Sequence, residues 1–351
     1  MKILIPLNEV WINSNPFVGI LNKEFEKYQD VEIITGVGNF WYSNSKIDII
    51  HIYWSQCLLQ DEFREKSLDD LRKKIIEYKN NGTKIISTCL NLAAHYSENT
   101  KINRSYDLVY GMSDVIIHLA DYSLDLFKDK FPKTKGVIIE HHVYNTLYNF
   151  RPSKEDACKK LHLNNNDHYI LSFGTYRSRE ERNFVIKVAH RVCRKTGYKF
   201  LIPTFFRNYG NETLKAKIRD FLYRLLLLFH PYIKYGSEYV DELLPYYYAA
   251  SEISFIQRIK ILNSGNVPMG LFWGHVVIGT EGGCVGDILR KLGNPTFNHN
   301  KLETVVSAVE KAINLVHEDK GVFNRDYVLK SCTVELTAQK IYNCYSECMC
   351  H

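Results

Sequence analysis

The sequence lacks a long apolar run. Its longest, Phe221-Leu-Tyr-Arg-Leu-Leu-Leu-Leu-Phe229, is broken by Arg224 and falls well short of the ~20 residues a membrane-spanning helix needs. It also lacks a leader pattern. Met1-Lys-Ile-Leu-Ile-Pro6 carries one charge and no small-residue cleavage site, so it reads as a first strand. Neither charge sign is in large excess. Lys plus Arg is 45 and Asp plus Glu is 39, a balance of +6. Spread over the chain this makes no basic stripe, which argues against nucleic acid as partner while permitting an anionic substrate or lipid surface. The 9 cysteines are scattered apart from Cys344, Cys348 and Cys350. Without an export signal or a paired CxxC, the expectation is reduced thiols in a cytoplasm and no metal. Neither short-period repeats nor low-complexity tracts occur.

What is present is ordinary globular composition, with 45% hydrophobic and 24% charged residues, enriched in tyrosine at 24. At 351 residues the chain suits about two domains, each able to bury its own core. β-Branched runs at 2–5, 31–35, 48–53, 84–88, 114–118 and 137–140 alternate with helical patterns. The scheme repeats at 169–173, 199–203, 233–235, 252–256 and 275–279. Short apolar runs separated by helices predict parallel strands buried on both faces, hence two doubly wound α/β domains. Asn15-Pro16 caps a helix with Phe17, Ile20, Leu21 and Phe25 on one side, and Ser67-Leu-Asp-Asp70 opens another that ends before Gly82. The turn-rich stretch 145–167 predicts the hinge. The expected division is 1–150, 165–325 and a closing helix within 326–351 that crosses back to the first domain.

Three strand-to-helix loops carry chemistry, since ligands of open parallel sheets sit beyond the carboxyl strand ends. The first, Phe173-Gly174-Thr-Tyr-Arg177-Ser-Arg179-Glu-Glu-Arg182, brings three arginines to a helix amino end that can hold a phosphate. Arg179 and Arg182 paired to Glu180 and Glu181 on a solvated helix start is the bland alternative. In the second, Gln257-Arg258 precedes Asn263-Ser264-Gly265, where a glycine admits a ligand to the backbone. The third, Glu281-Gly282-Gly283-Cys284, can form another phosphate-facing turn. A separate stretch, 218–235, mixes Arg219, Arg224 and Lys234 with Phe, Tyr and Leu. It fits an interfacial helix in peripheral contact with an anionic membrane, or a core helix with snorkelling arginines.

In order and spacing these segments resemble the GT-B glycosyltransferases of bacterial polysaccharide and glycolipid assembly (the group 1, family 4-like enzymes). Leu171-Ser-Phe-Gly-Thr-Tyr-Arg177 and Ile261-Leu-Asn-Ser-Gly265 carry the resemblance in the second half. Asn15-Pro16-Phe17, Asp48-Ile-Ile-His-Ile-Tyr-Trp54, Thr88-Cys-Leu-Asn-Leu-Ala-Ala-His95 and His141-His142-Val-Tyr144 carry it in the first. The resemblance implies two Rossmann-like domains facing a cleft, and transfer of a sugar from a nucleotide-diphosphate sugar to a saccharide or lipid-linked acceptor. It implies donor contacts from Gly174, Arg177, Arg179, Arg182, Arg258, Asn263, Ser264, Gly265, Glu281, Gly282 and Gly283. Acceptor contacts fall to Asn15, Phe17 and Asn91, and no cofactor or bound metal is implied; the sequence has no Asp-x-Asp.

His95, past a strand end, is the expected general base, since imidazole titrates near working pH. His118, Glu281 and Asp287 are further polar groups, while Asp48 and His51 lie on a strand and read as structural. The chain departs from the family at Leu90, where a histidine is usual, and at Glu180, where a lysine is usual. Ile261 and Met269 stand where retaining relatives carry paired glutamates. Two alternatives follow, a binding-only relative or partner subunit and a nucleotide-sugar epimerase.

Overall fold

In the computed structural model, residues 1–93, 100–206, 213–236 and 241–350 are described. The chain divides into two compact units, Met1–His142 with Ser331–His351, and Val143–Lys330.

The first unit is built on β1 (Lys2–Ile5), β2 (Glu32–Thr35), β3 (Ile49–Ile52), β4 (Lys84–Thr88), β5 (Val115–His118) and β6 (Lys135–Ile138). All pair in parallel, in the order β2-β1-β3-β4-β5-β6. Every residue of β3 and β5 is buried, as expected for strands covered on both faces. β6 begins two residues before the apolar run 137–140. The ladder sets it, with Lys135 opposite Val115, and as an edge strand it stays half exposed.

Local chemistry sets the helices. Asn15 Oδ1 accepts from the Phe17 amide at 3.0 Å, and Pro16 opens the helix Pro16–Phe25. Ser67 and Asp70 form a reciprocal capping box for Leu68–Asn80. The closing helix Val334–Met349 packs in the first unit, against Pro16–Phe25. Its Tyr345 hydroxyl lies 2.6 Å from His51 Nδ1, and His51 Nε2 lies 2.7 Å from the Thr88 hydroxyl. His51 thus ties the last helix to β4 through a fully buried ring. Burial pushes its pKa down to about 3.

The second unit holds β7 (Tyr169–Leu171), β8 (Lys199–Ile202), β9 (Ile233–Tyr235), β10 (Ile253–Phe255), β11 (Val276–Thr280) and β12 (Thr296–Phe297). Its order is β12-β11-β10-β7-β8-β9, again all parallel. The chain starts in the middle at β7, winds outward to β9, then crosses back to β10 and winds the other way. The order reverses between β7 and β10, and a doubly wound sheet binds its ligands in the crevice at that point. The core is aromatic there: Phe255 stacks on Phe297 at 5.3 Å and meets Phe200 edge-on at 5.5 Å.

Candidate functional site

The three loops foreseen from sequence lie beyond β7, β10 and β11, which are adjacent strands. Backbone and side-chain bonds join them. Asn266 Nδ2 donates to the Phe173 carbonyl at 2.7 Å, tying the β10 loop to the β7 loop. Val285 N donates to the Leu262 carbonyl at 3.2 Å, tying the β11 loop to the β10 loop. Gly283 sits at φ +67°, where an added Cβ would stand 2.5 Å from the Ile261 carbonyl. Only glycine allows that approach.

Gly174 is a second close approach. Its φ is +100°, and a Cβ there would lie 2.7 Å from Asn266 Nδ2. Its carbonyl accepts from Thr204 Oγ1 at 3.0 Å and from Gln257 Nε2 at 3.1 Å. Gln257 is buried, and Ser172 links it to the Tyr176 hydroxyl. Gly174→Ala is expected to destabilise the second unit by about 2–3 kcal/mol, from the left-handed backbone and the lost Asn266 bond. Urea denaturation followed by tryptophan fluorescence checks this. A change below about 0.5 kcal/mol, the ordinary range for an unstrained surface site, contradicts it.

The arginines divide by environment. Arg177 and Arg179 are exposed at the amino end of the helix Arg179–Thr196. The Ser178 side chain caps that helix by accepting from the Glu181 amide at 3.1 Å. Arg182 turns inward. It is buried, donates to Asp220 at 2.9 Å and lies over the rings of Phe205 and Tyr223. Arg258 is also buried and donates to Glu181 Oε2 at 2.8 Å. The same carboxylate oxygen accepts from the Arg177 amide at 2.7 Å. Arg182 and Arg258 therefore hold the loop in shape, and the two exposed guanidiniums stand at its rim.

Asn263, Ser264 and Gly265 lead into the buried helix Asn266–Trp273, where Ser264 Oγ accepts from the Asn266 amide at 3.3 Å. Glu281 is exposed, and its Oε1 accepts from Asn298 Nδ2 at 2.7 Å. Gly282 is exposed before the helix Gly283–Lys291, and Asp287 on that helix lies 3.9 Å from Arg290. Met269 is buried in its helix.

In the first unit, Asn15 is occupied as a cap. Phe17 is 7% exposed, packed against Tyr53, His141 and His142. Asn91 is buried, and its carbonyl accepts from the Tyr110 hydroxyl at 2.7 Å. These geometries make Asn15 and Phe17 organisers of the segment after β1. Leu90 is buried, and His118 is a buried core ring beside Ser123 Oγ at 3.0 Å. His95 lies outside the described residues. Cys344 and Cys348 are buried, and burial raises both thiols, Cys344 to about 11. The sequence did not single out Asn266 or Thr204, gave Gln257 no role of its own, and offered Glu181 only as a surface partner of Arg179 and Arg182. Glu181 shares the helical face of Phe184, Val185 and Val188, a periodicity that places it inward.

The fold matches solved structures along nearly the whole chain. The sucrose-phosphate synthase of Thermosynechococcus elongatus is 11% identical, with a TM-score of 0.71 over 99% of this chain and 98% of that one. Anabaena HepE in complex with UDP and glucose is 12% identical, with a TM-score of 0.70 over 99% and 100%. The chain has the GT-B fold. The UDP-GlcNAc 2-epimerase of Neisseria meningitidis, bound to UDP-GlcNAc, is 10% identical with a TM-score of 0.61 over 99% and 100%. GT-B architecture thus accommodates more than one reaction, and the chemistry has to come from the site. No protein-family model and no curated protein matches the sequence.

Proposed function

We propose that this GT-B chain is a glycosyltransferase. It moves a sugar from a nucleotide-diphosphate sugar to a saccharide or lipid-linked saccharide acceptor in surface polysaccharide or glycolipid assembly. The observation that carries the reading is the meeting of three strand-to-helix loops at the reversal point of the second sheet, with Arg177 and Arg179 exposed on the first of them. Breaking the bond from sugar to diphosphate develops negative charge on the leaving group, and pre-placed positive charge lowers that barrier. Two guanidiniums and the positive amino end of the helix Arg179–Thr196 supply it. Gly174 and Gly283 let the three loops close on one another, and Gly282, with open space where a Cβ would stand, lets phosphate oxygens reach backbone. The UDP and glucose held by HepE support a nucleotide diphosphate as the ligand class. In this reading the arginines meet the diphosphate charge without a metal, and transfer continues unchanged in excess chelator. His95, after β4, is the proposed base for the acceptor hydroxyl, with Asn15 and Asn91 on the acceptor side.

A thermal-shift screen against UDP, GDP, CMP and their sugar conjugates tests the donor site, because a ligand of the folded state raises the midpoint by mass action. One diphosphate should raise it. Arg177→Ala should then weaken binding about 10- to 100-fold, the range of a lost charge-assisted hydrogen bond. No shift with any nucleotide at millimolar concentration overturns the assignment. A second reading, a donor-binding relative without transfer, draws on Leu90 and Met269, which put buried apolar side chains where relatives carry polar ones. Donor binding without release of free nucleotide over hours, with or without acceptor, selects it.

A further inference from the structure

The helix Leu214–Leu228 faces the wrong way for a core helix. Only Tyr223 and Leu227 are buried, in the aromatic core of the second unit. Asp220, its single acidic residue, is held on the inner side by Arg182 at 2.9 Å. The Tyr223 hydroxyl donates to Asn183 Oδ1 at 2.7 Å. At ~100° per residue, Leu214, Ile218, Phe221, Leu225 and Leu228 point away from Tyr223 and Leu227. They are exposed, Phe221 by 64% and Leu228 by 68%, and Phe229 extends the face with 77%. On the same wheel Lys217 and Arg224 line one flank, and Lys215 and Arg219 the other.

We propose that this face docks on an anionic phospholipid surface, with the helix lying in the interface plane. An apolar strip bordered on both sides by long cations is what an interfacial helix needs. The strip enters the acyl boundary, and the cations reach back to lipid phosphates. Charge complementarity decides the occupant. Lys215 and Lys217 stand one on each flank of the strip, with Arg219 beside Asp220 at 3.4 Å and Arg224 over the Phe206 ring at 4.3 Å, and the one carboxylate is turned inward onto Arg182. A protein partner fits less well. Energetic centres of protein interfaces favour Trp, Tyr and Arg, with leucine under-represented and lysine depleted, whereas this strip is leucine and phenylalanine bordered partly by lysine. No described helix is long and apolar enough to cross a membrane, so the helix rests on the surface. The inference stands independently of the donor-site reading.

Vesicle flotation of the full chain tests it, with phosphatidylcholine alone and with about 30 mol% phosphatidylglycerol, a surface on which each nearby cation contributes roughly fivefold. The chain should float with the anionic vesicles, far less with the neutral ones, and be released by salt. Phe221→Ser with Leu225→Ser should cut recovery about tenfold or more, since it removes two inserted side chains. Lys215→Glu with Lys217→Glu should do the same on anionic vesicles only. Both variants should keep the wild-type near-ultraviolet circular dichroism and melting midpoint. Absence of wild-type flotation on anionic vesicles overturns the proposal, as does flotation unaffected by Phe221→Ser with Leu225→Ser. So does a wild-type dimer in sedimentation velocity that leaves vesicles unbound and splits on the same substitution, which would assign the face to a second copy.

Discussion

Arg258→Met should destabilise the second unit by about 3–5 kcal/mol, the cost of leaving a buried carboxylate without its cation. The side chains of Arg258 and Glu181 are 10% and 7% exposed, and their ion pair is 2.8 Å long. Water cannot take the place of the guanidinium at so enclosed a site. The double variant Arg258→Met with Glu181→Leu removes both charges and should recover most of that loss, because an apolar pair of similar volume is often neutral in a core. Chemical denaturation of both single variants and the double variant measures the coupling. A loss below about 1 kcal/mol for Arg258→Met, the size of a surface pair, would refute the account.

Nucleotide binding should not follow stability back. Glu181 Oε2 also holds the Arg177 amide at 2.7 Å, so the double variant regains a folded unit while losing the anchor of the rim loop. Stability restored with affinity still reduced separates a positioning role from a purely structural one. In the proposed donor site Arg177 would contact the diphosphate directly, whereas Arg258 and Glu181 would act through the shape of the loop.

The sequence showed where the strand-to-helix loops lie better than how each side chain in them is placed. Gly174 and Gly283 stood out as glycines after strands, and both occupy left-handed backbone. Arg182 looked equivalent to Arg177 and Arg179 because charge alone does not tell an inward guanidinium from an outward one. Its spacing from Val185 and Ala189, three and seven residues on, puts it on the buried face; its partner Asp220 is distant in sequence and could not be read. β12 was illegible for another reason. Thr296–Phe297 is two residues long and forms no run; it becomes a strand through its ladder with Gly279 and Thr280 and through the stacking of Phe297 on Phe255. The stretch 218–235 is a helix ending at Leu228 followed by β9. An outward apolar face has the same period as an inward one, so only the pairing of Asp220 and the burial of Tyr223 orient it.

Acid should unfold the first unit before the second. Three imidazoles of the first unit, His51 and His118 buried and His141 half-buried, have lowered pKa values: His51 and His141 to about 3, and His118 to about 4. The main cause in each is burial, which disfavours the charged ring. In the unfolded chain the same rings take up protons near the ordinary 6.5. Between that value and 3–4 the unfolded state therefore binds more protons than the folded one, and stability falls as the pH falls. At about pH 5 each ring costs about 2 kcal/mol, and three together about 6, comparable with the whole stability of a small domain. In the second unit, burial lowers His275 to about 4 and also lowers His230, with His190 adding to the effect on His230. His275 alone is fully enclosed there, between Ser254 Oγ at 2.8 Å and the Tyr248 carbonyl at 2.9 Å. Trp11, Trp41 and Trp54 report on the first unit and Trp273 on the second. Variants retaining tryptophan in one unit only, followed by fluorescence from neutral pH downward, should show the first-unit transition at the higher pH. His51→Gln should flatten its slope by one proton. Coincident transitions, or a second unit that melts first, would remove the histidines as the cause.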